Sequence, residues 1–321
     1  MMSTKSLIAS AFCSLLLACN TARCSGQTPQ QEVPSATQEN NLSDNEVAEG
    51  KVEEVVNGYG FTEGPLWLPS EKQFIFSDIP GDTIHTESGK VFRTPSGKSN
   101  GLTLDAEGRL VICEHWNRRV IRLEKDGSVT VLAENFEGKK LNSPNDLVIR
   151  SDGTLYFSDP PFGLMYFGPK RESELNLNGV YRVTPDGTLH RVVEDMQMPN
   201  GLAFSPDEKI LYISDDIDDG YIRAYDVLDD GSLSRPRTFA TGLIPDGMKV
   251  DVNGNVWCTS RYEVVVFRPD GSQLGSITFP QKTANLAFGG EDSRTLIVTA
   301  RKGVYRVRTK IAGLHPGMRR P

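Results

Sequence analysis

The chain reads as all-β and, more narrowly, as a six-bladed β-propeller. Three observations lead there. A turn followed by a short apolar strand recurs six times, Asp-Gly pairs sit between strand-like runs, and no stretch carries a convincing helical pattern.

The six copies occupy 69–78, 105–114, 151–159, 205–215, 251–260 and 290–300. Each opens on a Ser, Asp, Asn, Glu or Gly turn and closes on a small or acidic residue. The equivalent apolar positions are Phe74, Leu110, Leu155, Leu211, Val256 and Leu296, at intervals of 36, 45, 56, 45 and 40 residues. Periods near 40 to 50, with several strands per unit, mark propeller blades. Asp126-Gly127, Asp186-Gly187, Asp230-Gly231 and Asp270-Gly271 lie between further strand-like runs, the pattern of hairpin turns. Six copies predict one closed domain over 51–310. The segment 51–56 is strand-like and precedes the first copy, so it is expected to pair with the last blade and remove a sheet edge. The connection 160–178 is long, aromatic and rich in Pro and Gly, which suits either a lid or a packing loop.

The ends read differently. Lys5 precedes an apolar run from Leu7 to Leu17 that is too short to cross a bilayer and fits a signal sequence, residues 1–18. It ends Leu16-Leu17-Ala18-Cys19, similar to a bacterial lipobox with lipidation at Cys19. Cleavage near Ser25 is the alternative. The expected location is therefore outside the cytoplasm: a periplasmic or outer-membrane-anchored lipoprotein, or else a secreted protein. Residues 19–50 are polar and predict a disordered tether, and 311–321 a C-terminal tail. Contact with a membrane is expected only through that lipid anchor.

Of 321 residues, 38% are hydrophobic and 24% charged, with a formal charge of −7. That balance argues against nucleic-acid binding, which needs a basic patch. Cys113 and Cys258 sit in apolar strand patterns and read as buried free thiols, and no Cys/His spacing suggests structural zinc.

The chemistry is expected in the segments just before the six copies, which a propeller brings to its axis. They place Glu63, Asn100, Asn145, Asn200, Asp246 and Asn285 at equivalent positions. Carboxylates and amide carbonyls are hard donors, suited to Ca²⁺ first, then Mg²⁺ or Mn²⁺, with Zn²⁺ a poorer alternative. Two acids facing one channel call for a cation between them. Asn and Asp are also ordinary turn residues, so turns are the competing explanation. His115 follows a channel-facing strand end and could touch substrate or pack in the core. The run Asp215 to Gly220 lacks EF-hand spacing and reads as a solvated loop, and Arg118-Arg119 as a surface pair.

At these positions the chain resembles the SMP-30/gluconolactonase/LRE-like family, which includes gluconolactonase, regucalcin and diisopropylfluorophosphatase-like enzymes. The carriers are Glu63-Gly64-Pro65-Leu66-Trp67, Ser143-Pro144-Asn145-Asp146, Pro199-Asn200-Gly201-Leu202 and Pro245-Asp246-Gly247-Met248, in order and at blade spacing, within about 52–308. The resemblance implies one divalent cation held by Glu63, Asn200 and Asp246, with Asn145 beside it as ligand or substrate contact. It also implies Asp246 as the base in opening a sugar-type lactone. Asn100 and Asn145 are expected to hold the oxyanion, with His115 at the substrate. The stretch Asn100 to Asp105 with Glu114-His115 looks like the bacterial gluconolactonase branch. Two alternatives stay open: an esterase or phosphotriesterase of the same family, and a non-catalytic ion-binding propeller. Oligomeric state is not legible.

Overall fold

The computed structural model describes residues 46–316 and 318. The signal segment, Cys19 and nearly all of the expected tether lie outside the described residues. Among those described, six four-stranded antiparallel sheets follow one another along the chain, with a small hairpin at Asn135–Phe136 and Lys139–Lys140. These are the six blades. Five are contiguous in sequence, starting at Thr62, Ser99, Leu147, Pro199 and Pro245. The sixth combines Thr283–Gly289, Thr295–Ala300 and Gly303–Thr309 with Ala48–Asn57 from the beginning of the domain. The ring closure expected for 51–56 is present, and the strand starts at Ala48, inside the segment assigned to the tether.

The recurring copies turn out to be the second strands, not the axial ones. Val256–Ser260, for example, pairs with Pro245–Val250 on one side and Glu263–Phe267 on the other. Second strands lie between two neighbouring blades, and that explains their unbroken apolar character. In the third blade Leu155 and Phe157 pack toward the second blade, while Tyr156 packs toward the fourth. In the fifth, Val256 and Cys258 face the fourth blade and Trp257 faces the sixth. Alternate side chains thus enter different cores, and the six apolar clusters each join two adjacent blades. The axial strands are nearly all buried on both faces, but most open on polar, Gly or Pro residues and hold their large apolar groups in the second half, as in Pro199–Phe204, so their first halves read as loops. The Asp-Gly hairpins fall where expected, Asp126-Gly127 for instance between Arg119–Leu123 and Val129–Ala133.

Two further expectations change and one holds. The connection 160–178 contains a one-turn helix, Phe162–Met165. The C-terminal tail is docked through residue 314: Val252 N–H donates to the Ala312 carbonyl, Gly313 bridges Asp251, and Leu314 N–H reaches the Val250 carbonyl. Cys113 and Cys258 are buried and unpaired, as expected.

Candidate active site

Glu63, Asn100, Asn200, Asp246 and Asn285 lie near the start of axial strands, and Asn145 lies just ahead of Leu147–Ile149. In five blades the strand pairing slips here, between Glu63 and Leu66, Ser99 and Leu102, Pro199 and Leu202, Pro245 and Met248, and Thr283 and Asn285. A bulge re-aims one side chain out of the ladder, so five blades repeat one device. The glycines that follow are not turn residues. A Cβ on Gly64 would fall on the Asn100 carbonyl, and one on Gly201 would stand 2.5 Å from the Asp246 carbonyl oxygen. Only glycine lets neighbouring axial strands approach this closely.

Second strands brace the ring. The Ser77 hydroxyl donates to the Asn100 carbonyl at 2.8 Å, Ser214 to the Asp246 carbonyl at 2.8 Å, and Thr259 to the Ala284 carbonyl at 2.7 Å. One position on, acids hold the approach segments by their N–H groups. Asp78 accepts from Gly60 and Phe61, Asp159 from Asn142, and Asp215 from Gln197 and Met198. Asp215 is fully buried, so the run 215–220 is not a solvated loop at its start.

The axial oxygens are less well served. The side-chain Oδ1 atoms of Asn100, Asn145, Asn200 and Asp246 are buried and have no hydrogen-bond partner. Burying acceptors without donors costs on the order of 1–3 kcal/mol each, so four together at one axis leave room for a cation or for hydrogen-bond donors. Glu63 accepts from Gly64 N–H at 2.8 Å. Asn285 is different: its Oδ1 already takes the Leu286 N–H, and its amide N–H group reaches Asp146 and also serves Glu63. Burial raises the pKa of Glu63, and Asp146 adds to it. Asp246 is raised well above the usual range by burial and then by Glu63, Asp216 and Asp146. Among the described residues no three His, Cys, Asp or Glu side chains gather at ligand spacing. The donor set is two acids plus amide oxygens, which fits a hard divalent cation.

His115 is buried beside this ring. Its Nε2 lies 3.2 Å from Asn100 Nδ2, so Nε2 accepts and the ring proton sits on Nδ1, which has no partner. Burial, then Arg171, lowers its pKa to about 3, and the ring is neutral. The connection 160–178 covers it. Phe167 lies against His115 and Phe61, with ring centroids 5.9 and 5.6 Å away. Arg171 stacks on Trp116 at 4.0 Å and donates to the Trp116 carbonyl.

Several groups were not legible beforehand. Asp146 and Lys249 pair at 3.7 Å inside the channel. Asp216 accepts from the Asn200 amide at 3.5 Å, and Lys282 acts on Asp216 and Asp246. Asp146 and Lys249 were visible only as members of short motifs. Arg118 is not a surface residue: it is buried, with its guanidinium on the Leu141 carbonyl and Glu174.

The SMP-30/Gluconolactonase/LRE-like region matches residues 61–302 of this chain. A gluconolactonase of Zymomonas mobilis is 34% identical over 294 residues, covering 82% of each chain. The pentonolactonase XacC of Haloferax volcanii is 29% identical over 260 residues, covering 75% of this chain and 81% of its own. A solved gluconolactonase of Xanthomonas campestris superposes with a TM-score of 0.77 at 34% identity, covering 83% of this chain and 91% of the other. The chain belongs to the SMP-30/gluconolactonase/LRE-like family.

Proposed function

We propose that this chain hydrolyses a sugar-type lactone, such as a gluconolactone, with one divalent cation held by Glu63, Asn145, Asn200 and Asp246. The observation that carries the cation is the group of buried acceptor oxygens without donors. The lactone rests on the relatives, two of them gluconolactonases and one a pentonolactonase. Ca²⁺ suits the hard donors best, with Mg²⁺ and Mn²⁺ next.

A bound cation would supply Lewis acidity toward the lactone carbonyl. The chain's own groups then divide the work. Asp246 accepts the proton of the attacking water as the new C–O bond forms. The ring C–O bond breaks, the departing oxygen takes up a proton, and the product is a hydroxy acid. The Asn145 amide has hydrogens to donate to the developing oxyanion. Asn100 has one amide hydrogen committed to His115, so it presents mainly an acceptor, suited to a sugar hydroxyl. His115 offers a neutral Nδ1–H donor. Phe61 and Phe167 form an apolar wall over these groups.

A panel of γ- and δ-sugar lactones, an aryl ester and a phosphotriester tests the substrate class. The highest kcat/KM is expected on a sugar lactone; a preference for the ester or phosphotriester, or no turnover at all, would reject it. Export with lipidation at Cys19 stays part of the proposal, resting on the Leu16 to Cys19 motif. Fatty-acid labelling is expected in the wild type and absent in Cys19→Ala.

A further inference from the structure

Asp146 sits on the propeller axis. Its carboxylate accepts from the Asn285 amide at 3.4 Å, and these residues belong to the third and sixth blades, opposite each other in the ring. The Lys249 ammonium, from the fifth blade, lies 3.7 Å from the same oxygen and donates to the Met248 carbonyl at 2.9 Å. The Asp146 side chain is 3% exposed and that of Lys249 22%. This pair has no role in the mechanism above, yet an ion pair with one partner buried and the other largely covered is expensive to keep and is seldom a net source of stability.

Its meaning emerges from the charges in the channel. Glu63, Asp146 and Asp246 act on one another there, and Lys249 acts on Glu63. Asp216 and Lys282 act on Asp246 with opposite signs and together add no net charge. Three channel carboxylates against one ammonium leave two negative charges, the complement of one divalent cation. Without Lys249 the deficit would be three, and one divalent ion could not neutralise it.

We infer that Lys249 is a built-in counter-ion for Asp146 that sets the channel's charge and thereby limits its affinity for the divalent cation. Lys249 is a positioning residue in this sense, acting through the field at the site. The inference rests on the cation reading of the preceding subsection. It predicts an unusual sign: removing the charge partner of a buried acid should tighten ligand binding. A purely structural role for the pair predicts weaker binding or none.

The test is calorimetric titration of Ca²⁺ into chelator-stripped protein at fixed pH and ionic strength. Four proteins form a charge ladder: wild type, Lys249→Met, Asp146→Asn and the double variant. Lys249→Met should bind about tenfold or more tightly than wild type, and Asp146→Asn about tenfold more weakly, at an interior effective dielectric near 20. The double variant, with its net charge restored, should return close to wild type. Should Lys249→Met fail to fold, the double variant against Asp146→Asn measures the same charge step. Lys249→Met binding no tighter than wild type, or a double variant no tighter than Asp146→Asn, overturns the inference while leaving the cation site in place. A wild type that takes up no divalent cation overturns the cation reading, and this inference with it.

Discussion

The axial strands and the second strands repeat around the same ring, and both carry acids and polar oxygens at fixed positions. Their hydrogen-bond accounts differ. On the second strands Asp78 and Asp215 are met by backbone N–H groups, and Asp215 also by the Tyr221 hydroxyl. On the axial strands the oxygens of Asn100, Asn200 and Asp246, together with that of Asn145 just ahead of its strand, meet no donor. The same residue types therefore do two jobs. Satisfied acids shape the approach to the axis, and unsatisfied ones leave valence for a guest. Asp159 stands between the two classes: one oxygen accepts from Asn142 and the other has no partner, and burial pushes its pKa up to about 7.

Substitutions should separate the two classes. The largest effect is expected for Asp246→Asn. It keeps an oxygen at the axis and loses the base, so with the cation raised to saturation kcat should still fall by about 10²–10⁴. At neutral pH the metal-free variant should melt higher than metal-free wild type, because the folded chain no longer has to hold a proton on a buried carboxyl beside Glu63. A wild-type rate at saturation would reduce Asp246 to a ligand and leave the base to be found elsewhere, with His115 next. Asn145→Ala, measured at saturating cation, should lower kcat by about 10²–10³, and it should weaken cation binding less than Asp246→Asn because it removes a neutral ligand; paired titration and kinetics check both. Asp215→Asn should behave in the opposite way. Its loss falls on folding, about 1–3 kcal/mol by denaturant unfolding, with a smaller change in kcat than either axial variant.

The smallest effect is a pH dependence. The folded-state pKa values of Glu63 and Asp246 are raised above those of an unfolded chain. In metal-free protein these groups hold protons that the unfolded chain releases, so their contribution to stability is lost as pH rises above the ordinary carboxylate range. Asp159 acts in the same direction up to about 7. His115 runs the other way. Held neutral down to about 3, it costs stability only as pH falls below its ordinary 6.5. A cation must displace the protons on Glu63 and Asp246, so the rise in Tm on adding Ca²⁺ should be larger at pH 8 than at pH 5. An equal rise at both would separate the ion from these carboxylates.

The fold was legible because second strands face two cores, and runs such as Leu155-Tyr156-Phe157 repeat at blade spacing. The axial strands were not legible as strands. Pro199–Phe204, for instance, opens Pro-Asn-Gly and resembles a turn. Its glycine answers a contact with the next blade, which only the closed ring creates. The axial positions of Glu63, Asn100, Asn145, Asn200 and Asp246 could still be read, because each shares a place in the repeat. Asn285 shares that place too, yet it spends its amide on Leu286 and Asp146, a pairing across the ring that no local pattern encodes. Lys249 and Arg171 escaped for the same reason, because Asp146 and Trp116 come from other blades, while Asp216 meets Asn200 across its own blade. The acids at second-strand ends were visible as part of the repeat, but their N–H partners lie some 17 or 18 residues earlier in the chain.

The most direct measurement is hydrolysis of δ-gluconolactone by full-length protein after exhaustive chelation, followed by stepwise return of Ca²⁺, Mg²⁺ or Mn²⁺. A ring of unpartnered axial oxygens that exists to hold a cation predicts loss of turnover on chelation. Turnover should then recover in parallel with uptake of one ion per chain. Undiminished hydrolysis by protein shown to be free of metal would contradict it.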